Sequence, residues 1–367
     1  MVLARASLLV SFLHVALVLS KQCREQSVPV AVSARNAVFG KQERLVDDLD
    51  VTFFMQNMTT PGRNYTGDVL TGYTSIEDTY SISDLIKGKY WDPSIDPQLY
   101  SYIDIATDTF GYRTVSYDRL STGDSSRPNP YSVVQLEVEL AILDKLTTLV
   151  RTGQLLDIGK SSSVVHVGHS FGSILTFALA AKYPKNTDGI ILTGFSQSPS
   201  KEASLITTAA FNAKMARSDN STLWGKAGLN LDPGYLTWND VYSNIMDFYY
   251  PPGSMRDVHR YAEATKQPFT VGELLTMASS PSMAPDFTGP AMVVTGQQDA
   301  IFCGINCYYT DGLPNVSSIP ELTGRNLPKA SAFNVLVQPN TGHALNLHLN
   351  ATGAFRAINE FLGVHGL

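Results

Sequence analysis

Only three of the 367 residues are cysteine, and charged residues make up just 16%. Three thiols are too few to staple a fold that lacks a core, so a disulfide scaffold is excluded. Basic residues are short as well: 27 Lys and Arg stand against 33 Asp and Glu, a formal net charge of -6. No nucleic-acid partner is expected, because such binders carry a basic surplus or stripe. Intrinsic disorder is excluded too, since 44% of residues are hydrophobic and the net charge per residue is small. Beyond residue 20 no apolar run reaches membrane-spanning length, and Phe361 to Leu367 holds no anchor tail, so no stable membrane anchor is expected. A phosphate-binding glycine loop, a dinucleotide fingerprint and a metal-ligand cluster are all missing, which implies neither cofactor nor metal. The oligomeric state is left open.

What is present begins with a short basic start, Met1 to Arg5, followed by the apolar run Ala6 to Leu19. Val18 and Ser20 place small residues at the -3 and -1 positions of a cleavage site. Residues 1–20 therefore read as a secretory signal peptide, with fourteen apolar residues too few to span a ~30 Å hydrocarbon core. The mature protein is expected to be secreted. Five N-x-[ST] sequons, at Asn57, Asn64, Asn220, Asn315 and Asn350, fit that route and would mark surface positions.

Residues 21–90 carry little pattern beyond short strand-like runs such as Val51 to Phe54. From about residue 100, helices and strands alternate. A helix is expected over 102–109, a strand over Arg113 to Tyr117, and a long amphipathic helix over 132–153, where Val133, Leu136, Leu140, Leu143 and Leu146 recur. A strand over Ser163 to Val167, a helix over Ser173 to Tyr183 and a strand over Gly189 to Thr193 follow. Alternation stops from 197 to 290, where helices are expected near 201–217, 239–249, 254–264 and 271–280. It resumes with strands Ala291 to Thr295 and Phe333 to Val337 and a helix over 352–362. This pattern predicts an α/β fold, a mainly parallel sheet with helices on both faces and a helical cap insertion. The expected division is 21–196 and 291–367 for the core and 197–290 for the cap, which would lie over the strand ends.

Gly168-His169-Ser170-Phe171-Gly172 matches G-x-S-x-G, a pattern that this composition produces about 0.2 times by chance. Its place between an apolar strand and an apolar helix is what gives it weight: a sharp turn there lifts a serine clear of the sheet. Glycines at 168 and 172 are expected because a side chain at either would collide with the neighbouring strand or helix. A serine needs a base to remove its proton and an acid to orient that base. Asp299 lies four residues past the strand ending at Thr295, and His343 lies in the loop after the strand ending at Val337. Taken singly, Ser170 could be a helix cap, Asp299 a turn residue and His343 a surface imidazole. Ser, Asp, His in that chain order, each past a strand end, form the expected triad. His166 and His169 are badly placed to reach the Ser170 hydroxyl, and His348 is a minor rival.

On these residues the chain resembles a secreted fungal-type α/β-hydrolase, related to esterases, lipases and lactone hydrolases. Asp118-Arg-Leu-Ser-Thr-Gly123 is similar to the family's D-R-x-G-x-G turn, with Ser121 in place of the first glycine, and Asn340 to Asn346 is similar to its histidine loop. The resemblance implies acyl transfer from a small ester or lactone to water. Ser170 would attack, His343 shuttle the proton, Asp299 hold the imidazolium and the Phe171 N–H donate to the oxyanion. Peptidase and thioesterase chemistry share the triad and stay open. An epoxide or haloalkane hydrolase would need a carboxylate where Ser170 stands.

One departure stands out. Such hydrolases carry a buried strand before the helix at 102, ending in His-Gly, whose loop gives a second oxyanion N–H. Residues 77–90 contain no four-residue apolar run and no histidine. The strand and its loop are therefore expected to be missing, through a true deletion or a lost coding segment of roughly 15–25 residues. Cys303 and Cys307 could pair locally, which would leave Cys23 single; three free thiols or a pairing of Cys23 with either remain open. A non-catalytic or weakly active protein on the same fold is the competing reading.

Overall fold

A computed structural model describes residues 26–367, apart from 41–43, 84–89, 156–158, 201–202, 204–206, 208–209, 220–222, 225–229 and 311. The expected signal peptide, Cys23 and Asn220 lie outside these residues. Strands β1 (Val28–Phe39) and β2 (Leu70–Ile82) form a long antiparallel hairpin, paired from Val28↔Ile82 to Phe39↔Leu70. Between them runs α1 (Asp48–Thr59). The strand-like run Val51 to Phe54 is thus helical. Asp47 accepts from the N–H groups of Leu49 and Asp50, and the Asp50 carboxylate bonds back to the Asp47 N–H, a reciprocal cap that overrides the local β preference.

Tyr102–Asp104 is helical and runs on as one π turn, Ile105–Thr109, in agreement with the expected helix. Arg113 to Tyr117 forms no ladder among the described residues, contrary to expectation. A strand needs a neighbour with which to pair, and here the Asp118 N–H donates to Ser83 O (3.1 Å), one residue past the end of β2. The place where the family's extra strand would fall, 84–89, is outside the described residues.

Next come α2 (Leu136–Thr152), β3 (Val165–His169), α3 (Phe171–Lys182) and β4 (Gly189–Thr193). In the insertion lie β5 (Lys214–Met215), β6 (Tyr235–Thr237), α4 (Val241–Phe248), α5 (Arg256–Ala264), β7 (Phe269–Thr270) and α6 (Val271–Met277). The cap is therefore not purely helical: β5, β6 and β7 make a small antiparallel sheet, and β5 falls within the helix expected near 201–217. The chain closes with β8 (Pro290–Gly296), α7 (Ala300–Cys303), β9 (Ala332–Gln338) and α8 (Ala351–Val364).

The core sheet runs β3-β4-β8-β9, all parallel. Strand alternation divides its side chains between two layers. Ile190, Leu192, Ala291 and Val293 pack with Leu136, Leu140 and Phe177 of α2 and α3. Ile191, Met292 and Val294 pack with Phe355, Ile358 and Leu362 of α8. The hairpin instead rests on α2, where Val30, Tyr80 and Ile82 meet Val138, Ile142 and Leu146. Gln135 fixes it further, its side chain bonding both the N–H and the O of Ala37 at 2.9 Å. Among the described residues no helix is long and apolar enough to cross a membrane.

Candidate active site

Ser170 sits between β3 and α3 with φ +55° and ψ -118°, a conformation costing a non-glycine residue roughly 1–3 kcal/mol. The strain is held from both sides. Its N–H donates to Thr193 O (2.9 Å), while its own carbonyl accepts from Ser173 and Ile174. Gly168 is sterically required, since a Cβ there would lie 2.3 Å from Gly172 O. Gly172 is not: a Cβ there meets nothing within 4 Å, so the expected collision is absent. Phe171 opens α3, and the first-turn N–H groups of a helix lack intrahelical acceptors and carry its positive end.

Asp299 follows β8 and His343 follows β9; both are fully buried. Asp299 Oδ1 caps α7, accepting from Ile301 (2.9 Å) and Phe302 (3.0 Å). Its Oδ2 accepts from the Thr295 hydroxyl (2.6 Å) and from His343 Nδ1 (3.0 Å). Burial pushes the Asp299 pKa up, but His343 and these donors outweigh it, so the carboxyl is held below its ordinary range. An ionised carboxylate only accepts, so Nδ1 carries the imidazole proton and Nε2 is left as a base. That Nε2 is buried and unbonded. The structure thus joins Asp299 to His343 but does not bond Ser170 to His343. Rings close around the imidazole: His169 at 4.8 Å, Phe248 at 5.6 Å and Phe302 at 5.9 Å between centroids.

The rival histidines His166, His169 and His348 are committed elsewhere. His166 is bonded between the Thr147 and Thr187 hydroxyls, and burial, with Arg151 adding, lowers its pKa to about 4. His348 donates from Nδ1 to Ala344 O, and its Nε2 accepts from Gly342 and Tyr250. His169 stacks on Tyr90 at 4.3 Å. Since the Thr193 hydroxyl donates to Gly168 O, it accepts from His169 Nδ1, which fixes that tautomer. Burial and then His343 depress the His169 pKa. Sequence reading placed His169 out of reach of the serine but missed its contact with the other histidine.

The D-R-x-G-x-G turn is built as the resemblance implies, with a cost. Gly123 has φ +50°, and a Cβ would fall on the Asp118 carboxylate. Ser121, where the family has glycine, is also left-handed at φ +76° and is fully buried, a strain of about 1 kcal/mol. Of the cap aromatics, Trp224 and Tyr249 are core, whereas Phe248 touches His343 and packs with Trp238 and Phe211. Cys303 and Cys307 form a disulfide. Asn64 and Asn315 are exposed and Asn57 is half-buried; Asn350 Nδ2 donates to Pro339 O at 2.7 Å, so a glycan there must keep or replace that bond.

A parallel sheet with a strained serine turn and an acid–histidine pair at later strand ends places the molecule among α/β proteins whose sites lie outside strand C-termini. A profile of the Alpha/beta hydrolase family matches residues 88–357, and the chain belongs to that family. No curated protein matches it. Similar solved structures include a thermophilic esterase from Thermogutta terrifontis, 19% identical over 79% of this chain and 95% of that one, TM-score 0.46. A monoacylglycerol lipase from Paleococcus ferrophilus is 14% identical over 72% and 89%, TM-score 0.47. An epoxide hydrolase from Vigna radiata is 16% identical over 78% and 94%, TM-score 0.47.

Proposed function

We propose that the chain is a secreted serine hydrolase that cleaves a small carboxylic ester or lactone through Ser170, His343 and Asp299. The observation that carries this reading is the buried Asp299–His343 bond of 3.0 Å, which leaves Nε2 as the base, on a fold that holds Ser170 strained at the end of β3. His343 Nε2 takes the serine proton as Oγ attacks the carbonyl, then delivers it to the leaving alkoxide. The Phe171 N–H stabilises the oxyanion. Water, deprotonated by the same nitrogen, hydrolyses the acyl-enzyme. Phe248 and Trp238 supply apolar wall, which suits an acyl or aromatic group better than a charged one.

One observation favours the competing, weakly active reading: Ser170 is not bonded to His343 in this structure. A fluorophosphonate separates the readings. The hydrolase reading expects labelling that vanishes in Ser170→Ala, together with turnover of p-nitrophenyl esters or an aromatic lactone. A folded wild type that stays unlabelled overturns it. Secretion rests on residues 1–20 and the sequons; an endoglycosidase mobility shift of the exported protein tests it.

A further inference from the structure

Arg119 holds three groups from three parts of the fold. Its Nη1 bonds Glu139 Oε1 of α2 (3.2 Å) and Glu273 Oε1 of α6, while its Cζ lies 4.7 Å over the Phe171 ring. Glu139 is fully buried and Glu273 nearly so. Glu273 is itself fixed, because its Oε2 accepts from the Thr270 N–H (2.7 Å) in a reciprocal helix cap. The start of α6 is tied to the core by Thr270 Oγ1 to Val134 O (3.2 Å), Leu136 N to Thr276 Oγ1 (3.0 Å) and Gly272 N to Pro130 O (2.8 Å). Gly272 makes this approach possible: a Cβ there would stand 2.4 Å from Val134 O.

Buried ion pairs often add little stability over apolar residues of the same volume. Here the guanidinium does something an apolar residue does not, since its face fixes an aromatic ring through cation–π contact. That ring belongs to the residue directly after Ser170. We propose that Arg119 is a positioning residue, which, anchored by Glu139 of the core and Glu273 of the cap, holds the Phe171 ring and hence its N–H against the developing oxyanion. The inference rests on the hydrolase reading above. It makes the root of the cap part of the elbow's alignment, because α6 fixes one of the two carboxylates that orient the guanidinium. Small displacements of such donors are costly to rate and leave ground-state binding nearly untouched.

The test measures p-nitrophenyl butyrate hydrolysis and fluorophosphonate labelling rates for wild type, Arg119→Lys, Phe171→Leu and their combination. Lysine keeps a charge for the carboxylates and loses the planar face. Each single variant is expected to lower kcat about tenfold with KM changed less than about twofold, and the double variant to fall no further than the slower single one. Glu273→Gln, which loosens only the cap anchor, is expected to lower kcat in the same direction by a smaller factor and stands in if Arg119→Lys does not fold. Multiplying kcat losses, a change confined to KM, or wild-type kcat in both Arg119→Lys and Glu273→Gln would overturn the positioning role. An unlabelled wild type removes the hydrolase reading and this inference together. A labelled wild type with Arg119→Lys labelled equally fast removes this inference alone.

Discussion

Asp247 is a buried acid with nothing to bond, and replacing it by leucine should stabilise the protein. It lies on α4, 1% exposed, and neither carboxyl oxygen has a hydrogen-bond partner. Burial alone pushes its pKa up to about 8, against about 3.9 in an unfolded chain. Between those values the folded chain keeps a proton that the unfolded chain has released. Stability therefore falls as pH rises, by at most about 1.4 kcal/mol per pH unit. The contribution is whole below about pH 4 and gone above about pH 8. Relaxation and water penetration reduce that ceiling, leaving a loss of about 2 kcal/mol between pH 5 and 7. Asp247→Leu removes the titration and relieves an unmet polar group worth about 1–3 kcal/mol. At pH 7 its melting temperature should exceed the wild type's by at least about 2 °C. Thermal melts of both proteins at pH 5, 6, 7 and 8 measure this, and the gap should widen with pH. Glu139, whose pKa burial also raises, to about 8, cancels in the difference. Parallel curves, or a leucine variant less stable at every pH, would refute the reasoning and show that the carboxylate has a partner.

Three further outcomes follow from the site. Asp299→Asn should keep the α7 cap through its Oδ1 but turn an amide N–H toward His343, favouring the wrong tautomer; kcat for p-nitrophenyl esters should drop by on the order of 10⁴ with little change in fold by circular dichroism. Gly168→Ala should cost about 3 kcal/mol in urea melts, because its methyl group would strike Gly172 O. Gly172→Ala, with open space at its Cβ, should gain up to about 1 kcal/mol in helix propensity. Equal losses in both alanine variants would contradict the elbow's asymmetry.

Most of the core sheet was legible because buried parallel strands and amphipathic helices leave strong, alternating patterns. Gly189–Thr193 lies where the sequence puts it, and β3 is displaced only two residues from its expected range. Ser170, Asp299 and His343 were visible for the same reason: each directly follows a strand or lies within a short loop of one. What stayed hidden has physical causes. Strand β2 is mostly exposed and polar, so it offers few apolar residues to read, whereas β1 carries an alternating apolar run, Val28, Val30, Val32 and Ala34, that the reading passed over. Strands of two or three residues, as in the cap, are too short to show a period. Arg119 finds carboxylates 20 and 154 residues away, and no local spacing records such a meeting. In α1 a reciprocal cap decided the conformation against local β preference.

Helix α2 has apolar residues on two flanks and uses both. Leu136, Leu140 and Leu143 belong to the sheet's layer, while Val138, Ile142 and Leu146 belong to the hairpin's. With no ladder joining hairpin to sheet among the described residues, α2 carries much of the contact between them, beside the bonds of Ser81 and Ser83 to Ser126 and Ser125 and of Asn36 to Ser132. Their coupling then rests on side-chain packing and a few loop bonds instead of a shared ladder. Hydrogen exchange in β1 and β2 will run through openings of lower free energy than those of β4 and β8, with the serine's strand left standing.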